Sequence, residues 1–290
     1  MIPAEVLAQR ISMPLEAKIA FSQLRIREFY EKMGGQVYVA FSGGKDSTVL
    51  LHLVRDLYPD VKAVFCNTGL EYPEVVEFAL VTENVVVIKP AVPFTKVIEK
   101  YGYPAISKEQ SQYVSQYRTT KSDKLRDIRW NGRNGAGGIS KKWRKMIDVP
   151  YKISPQCCTV MKKRPFHIYE KETGLSPIIG TMVTDSSLRK RSYLKNGCNV
   201  FINGKEMSRP MSIWTTEDVW EYIKKFNVPY SSIYDMGYVR TGCMFCMFGA
   251  HLEKHPNRFE LMKDTHPKQY DYCINKLGCK KVLDDMGVTY

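Results

Sequence analysis

Val37-Tyr38-Val39-Ala40-Phe41-Ser42-Gly43-Gly44-Lys45-Asp46-Ser47 decides how this chain is read. Val37 to Phe41 is an apolar, β-prone run. It breaks into two glycines, and a helix-like run from Thr48 to Leu57 follows at once. A strand, a glycine turn and a helix start make a cradle for phosphate. The glycines let backbone N–H groups approach an anion, and the helix start adds unpaired donors and the positive end of the dipole. Lys45 and the hydroxyls of Ser42 and Ser47 add contacts. The spacing is not that of a G-x-x-x-x-G-K-[ST] P-loop.

Outward from this stretch the pattern repeats. Val61 to Cys66 reads as a second buried strand ending in Asn67-Thr68-Gly69. Pro73 opens a helix to about Glu83, and Val85 to Ile88 is a third strand. Strands alternating with helices predict an α/β fold with a doubly wound parallel sheet, whose ligands sit at the C-terminal strand ends. The Ser42–Ser47 loop and the Asn67–Gly69 turn are both expected at that edge. Residues 3–33 read as helical, a covering helix that Pro14 can open and Gly34-Gly35 stops. Pro177 to Val183 reads as a further strand. Thr215 is expected to cap a helix with Asp218 at its third position.

The chain has 290 residues, 44% hydrophobic and 25% charged, the composition of a soluble globular protein. No apolar run is long enough to span a membrane. The early residues include Glu5 and no leader-like apolar core, so a cytoplasmic location is expected. Net charge is +13, which favours an anionic substrate or a polyanionic partner. Between Lys108 and Asp148, eleven Lys and Arg face four acids, with Tyr113, Tyr117, Trp130 and Trp143 interleaved. Such a segment can clamp tRNA or DNA by pairing phosphates and stacking bases. It can equally be a solvated basic surface.

Eight cysteines in such a chain point to metal or redox chemistry rather than disulfides. Adjacent Cys157-Cys158 and the distant Cys243-x-x-Cys246 make a four-thiolate set. Zinc usually takes separated pairs, whereas neighbouring cysteines can serve two irons of a [4Fe–4S] cluster. The five histidines are scattered without ligand spacing.

Ser-Gly-Gly-Lys-Asp-Ser matches the PP-loop of the ATP pyrophosphatase superfamily. The whole pattern resembles the phosphoadenosine-phosphosulfate (PAPS) and adenylyl-sulfate reductase family. Cys-Cys followed far downstream by Cys-x-x-Cys resembles its cluster pattern, and Asn67-Thr-Gly69, with Glu71 and Pro73, stands at its Asp-Thr-Gly turn. Gly180 through Ser186 and Arg189 resembles its Gly-x-Arg-x-x-x-Ser-x-x-Arg segment, and Trp214 to Trp220 its tryptophan helix. The resemblance implies an adenine nucleotide alpha hydrolase-like fold in three parts. These are a helical cover (1–35), a nucleotide-binding domain (36–240) with a basic insertion (108–150), and a cluster-proximal helical tail (241–290). It implies nucleotide binding by Ser42, Gly43, Gly44, Lys45, Asp46, Ser47, Asn67, Thr68, Gly69, Gly180, Ser186 and Arg189, with Mg²⁺ placed by Asp46 or Asn67. It implies a cluster on Cys157, Cys158, Cys243 and Cys246.

The chain departs from the family at Asn67 and Met182, and in its tail. There Leu277-Gly-Cys279 replaces the catalytic Glu-Cys-Gly, leaving Cys279 the candidate nucleophile, flanked by Lys280 and Lys281. Three readings follow. One is ATP-dependent activation and sulfur transfer to a nucleic acid, with Lys45 and Asp46 catalytic and sulfur from a donor protein or the cluster. A second is reduction of a sulfonucleotide to sulfite through Cys279 and a thiol reductant. The third is a nucleotide-binding module without catalysis.

Overall fold

In a computed structural model the described residues are 2–133, 135–202 and 204–290. Residue 1 of the helical cover, residue 134 of the basic insertion and residue 203 lie outside them. The chain forms two compact units: residues 1–67, 73–88 and 166–233, and residues 68–72, 89–165 and 234–290.

The first unit is built on a six-stranded sheet: β1 (Val37–Phe41), β2 (Ala63–Cys66), β3 (Val85–Ile88), β4 (Ser176–Ile179), β5 (Asn199–Val200) and β6 (Met207–Ser208). The order is β3-β2-β1-β4-β6-β5. All neighbours are parallel except β5, which runs antiparallel to β6. The sheet is doubly wound, as expected. Its order reverses between β1 and β4, so the crevice beyond their C-terminal ends is the switch point where such sheets take ligands.

β1 is apolar throughout because it lies mid-sheet, in register with β2 at Val39–Ala63 and with β4 at Val39–Ile178. Ile26, Phe29, Leu50, Leu53 and Trp214 fill the core against it. Trp214 is fully buried, and its indole N–H donates to Ser22 Oγ at 2.8 Å. Thr215 and Asp218 form the expected capping box. Asp218 also receives buried Lys18 at 2.6 Å, tying the Thr216–Phe226 helix to the Leu15–Lys32 helix.

Two expectations change. The N-terminal cover is two helices, Ala4–Ile11 and Leu15–Lys32, because Pro14 starts a new helix instead of continuing the first. The strand expected over 177–183 ends at Ile179. Beyond it, Gly180 packs tightly, and a Cβ there would lie 3.0 Å from the Asp46 carbonyl oxygen.

The second unit is helical. Tyr103, Trp143, Met146, Phe259, Leu283 and Met286 are among its buried side chains. Gly102, at φ +95°, lets the chain run against the Lys152 backbone, where a Cβ would meet the carbonyl carbon at 2.2 Å.

Candidate nucleotide cradle and cysteine pocket

At the end of β1, Ser42 and Gly43 turn the chain and Gly44 caps the Lys45–Leu57 helix. Gly43 has φ +70°, and a Cβ there would lie 2.8 Å from Val75 Cγ1 and 2.9 Å from the Val75 carbonyl oxygen. Any larger residue meets both backbone strain and a clash. The two serines brace the turn. Ser42 N–H donates to Ser47 Oγ at 3.1 Å, the two hydroxyls lie 3.0 Å apart, and Ser47 Oγ donates to the Gly44 carbonyl at 2.9 Å. The cradle therefore rests on backbone N–H groups and a helix start. Lys45 is buried, with Nζ 2.5 Å from Asp46 Oδ1. Through Gly180, the loop after β4 packs on the backbone of Asp46 and Ser47.

Ser186 and Arg189 are engaged locally. Ser186 Oγ accepts from the Arg189 N–H at 3.3 Å, capping the Ser187–Asn196 helix, and the Arg189 guanidinium pairs with Asp185. Asn67 follows β2 directly, with its N–H bonded to the Ile88 carbonyl at 2.9 Å. Thr68 and Gly69 fold with the second unit.

In that unit Cys157, Cys158, Cys243 and Cys246 line one cavity of about 20 Å³, with Leu70, Phe94, Pro104, Met161 and Lys162. Cys157 and Cys158 form one turn of helix, and residues 159–163 widen into a π-helical turn. Such turns re-aim side chains and recur at functional sites. The Met244 N–H donates to the Leu70 carbonyl at 2.7 Å, pinning the Cys243–Cys246 turn to the 68–72 turn. Arg258 holds the Cys246 carbonyl at 3.0 Å.

Two charged residues act at this pocket: Lys162, on its wall, and Glu71, which belongs to the turn after β2. Glu71 accepts from Thr68 N–H and Thr68 Oγ1, both at 2.9 Å, and receives Lys162 Nζ at 3.3 Å. Glu71 stands within the stretch that resembles the family's turn, whereas the signal for Lys162 is its placement four residues after Cys158.

The thiols are strongly differentiated. Cys157 donates to Cys158 across 4.0 Å. That bond and its neighbour's charge, with burial, hold the Cys157 proton on. The same bond lowers Cys158 to about 6, helped by Lys108, Lys162 and Lys163 against burial. Burial pushes Cys243 up to about 12, with Lys162 opposing, and raises Cys246. Burial works against the charge on Lys162, yet Cys243 and Glu71 keep its proton affinity high. Four soft sulfurs on an otherwise apolar wall, with one ammonium beside them, are a donor set that fits a cluster of net negative charge. Among the described residues, no three His, Cys, Asp or Glu side chains converge on a single ion position.

Cys279 begins the Cys279–Met286 helix and is fully buried. It is hydrogen-bonded to Cys273, whose thiol that contact, with burial, raises. Lys281 lies over the Tyr103 and Tyr151 rings, 5.3 Å from each centroid. Cys66 and Cys198 are core residues. No helix is long and apolar enough to cross a membrane among the described residues.

A parallel sheet with Ser-Gly-Gly-Lys-Asp-Ser at its switch point defines an α/β nucleotide-binding protein of the PP-loop class. The family model for the phosphoadenosine phosphosulfate reductase domain matches residues 36–128 and 103–248, and the chain belongs to that family. An adenosine 5′-phosphosulfate reductase of Lysinibacillus sphaericus is 23% identical over 227 residues, 76% of this chain and 77% of that protein. An uncharacterized protein of Methanocaldococcus jannaschii is 25% identical over 268 residues, 87% of this chain; the chain spans 51% of its length. The crystal structure of a phosphoadenylyl-sulfate reductase from Candida auris matches 84% of this chain and 96% of its own, with TM-score 0.46 and 15% identity.

Proposed function

We propose that this chain is an iron–sulfur PP-loop enzyme that activates a nucleic-acid acceptor with ATP and replaces the activated oxygen with sulfur. The ATP phosphates bind the N–H groups of Gly43, Gly44 and Lys45. Asp46 places Mg²⁺, and Asn67 the ribose. An acceptor oxygen attacks the α-phosphorus, the bond to the pyrophosphate breaks, and the acceptor carries AMP. Lys45 and the helix start stabilise charge developing on the phosphate oxygens. Sulfide then adds at the activated carbon and AMP leaves with the original oxygen, so no electron is gained or lost. A [4Fe–4S] cluster on Cys157, Cys158, Cys243 and Cys246, when bound, supplies a metal-held sulfide. Lys162 and Glu71 hold a fixed charge pair at that wall.

The observation that carries this reading over reduction is the burial of Cys279. A reductase mechanism needs a thiol that reaches the sulfonate and forms a thiosulfonate, and Cys279 has no exposed surface. The second reading remains favoured by the kinship with adenosine 5′-phosphosulfate reductase. One assay pair separates the two. Sulfur transfer requires pyrophosphate release from ATP that tRNA or DNA stimulates, and no stimulation by either polymer sinks it. Reduction requires sulfite from adenylyl sulfate, abolished in Cys279→Ser.

A further inference from the structure

Apart from Lys108, whose charge acts on Cys158, neither the cradle nor the cysteine pocket uses the helices of the basic stretch. Helices Lys108–Thr119 and Asp123–Asn131 are joined by three residues, and a 3₁₀ turn, Lys141–Ile147, follows. A short helix is normally held by a buried apolar face. Asp123–Asn131 buries no side chain at all. Rings and guanidinium groups hold it instead. Tyr117 and Trp130 lie 5.7 Å apart, Arg144 stacks on Trp130 at 4.1 Å, and Arg129 stacks on Tyr113 at 4.4 Å. Trp130 still shows 37% of its surface to solvent.

The charges of the stretch are sorted. Glu109 is bonded to Tyr113, Asp123 to Arg126 and Asp127 to Asn131. Lys121, Lys124, Arg133, Lys141 and Lys145 are exposed, and none has a carboxylate partner among the described residues.

We propose that this helical hairpin docks single-stranded nucleic acid. Its phosphates meet those five cations, and an unpaired base stacks on the open part of the Trp130 indole, extending the Tyr117–Trp130–Arg144 row. Charge complementarity selects a polyanion, and an exposed indole set among cations selects unpaired bases, since a duplex keeps its bases stacked inside. The inference rests on the nucleic-acid acceptor proposed above and names where and in what form it binds.

The test is fluorescence anisotropy of the full chain with labelled oligo(dT) and oligo(U) of about 20 nucleotides, without ATP. Five phosphate contacts predict affinity falling about 100-fold between 50 and 200 mM salt. The double variant K121E/K124E should bind at least tenfold more weakly, and Trp130→Ala about tenfold. Trp130→Phe keeps a ring in the row; it should retain most of the affinity and lose the fluorescence quenching that the indole shows on binding. In each variant the ATP-induced rise in Tm should be unchanged, which reports an intact fold. Wild-type affinity in K121E/K124E, salt-independent binding, or equal affinity for a duplex overturns the proposal. Strand binding through the hairpin without pyrophosphate release removes the proposed reaction and leaves the docking surface standing. Turnover of K121E/K124E at the wild-type nucleic-acid KM does the reverse.

Discussion

The cradle and the cysteine pocket are built on opposite plans. The cradle is a continuous strand, turn and helix start in which most of the bonding is backbone. Its two serine hydroxyls bond to each other and to the turn instead of facing outward. The pocket is gathered from separated segments: the 68–72 turn, Phe94, Pro104, residues 157–163 and residues 243–246. Its character comes from side-chain charge, with Glu71 and Lys162 acting on thiols that would otherwise be alike. A backbone site is fixed by a few glycines whose geometry admits nothing else. A side-chain site is set by whatever charges the fold delivers to its wall, so single substitutions can retune it without dismantling it.

The comparison breaks first at Lys45, the one cationic side chain the cradle is proposed to use. Lys45→Ala should slow AMP formation about 10³-fold, roughly 4 kcal/mol of transition-state stabilisation, with folding intact. Pyrophosphate release measures it. A loss below tenfold would mean that backbone donors alone carry the phosphate charge. Next comes Gly43→Ala. Left-handed backbone and a methyl 2.8 Å from Val75 Cγ1 should together cost about 3 kcal/mol of stability and lower Tm by roughly 6–10 °C. An unchanged Tm would show that the turn can relax, and the contrast between a rigid cradle and a tunable pocket would lose its basis.

The same contrast explains what could be read from the sequence. The cradle was legible because its parts are adjacent, and strand, glycines and helix start are all local signals. The doubly wound sheet was legible because the apolar runs at Val37, Val61 and Val85 alternate with helical ones. The four cysteines stood out as residue types, but their neighbours did not. Lys162 sits in a run of basic residues, and Glu71 stands in the turn after β2; nothing in the sequence pairs them until the fold brings the two within 3.3 Å. The basic stretch showed its charge, yet its helices stayed hidden, because a helix that buries nothing leaves no apolar periodicity. The interleaving of the two units was equally invisible, since it depends on contacts between distant segments.

A smaller effect tests the pocket's side of the contrast. Lys162→Met removes the ammonium that lines its wall and leaves the Glu71 carboxylate still held by Thr68. In the cluster-loaded protein this should lower the one-electron reduction potential by about 60 mV, the equivalent of a tenfold shift, because one positive charge no longer favours the more negative state. Iron content should stay near wild type. An unchanged potential would mean that the Glu71–Lys162 pair acts as a neutral unit towards the cluster.

The smallest effect concerns the protein prepared without metal, where the pocket's thiols must differ by environment alone. Cys158 is lowered to about 6, first by the hydrogen bond from Cys157 and then by Lys108, Lys162 and Lys163, while Cys243 is raised to about 12 by burial. Falling pH therefore protonates Cys158 only near 6, and above about pH 7 its thiolate population is already complete. Its alkylation by iodoacetamide should level off there, whereas an ordinary cysteine continues to gain rate towards pH 9. The gain at pH 7 is modest. Cys158 has tens of times more thiolate than an ordinary thiol, but a less basic thiolate is a poorer nucleophile, with a Brønsted slope near one half. The net advantage is about two- to threefold. Peptide mapping after brief labelling at pH 7 should find Cys158 modified before Cys157, Cys243 and Cys246, and Lys162→Met should move its inflexion upward. Equal labelling of all four, or a Cys158 rate still climbing at pH 9, would show that the pocket does not differentiate its thiols without metal, and that its tuning belongs to the bound cluster rather than to the fold.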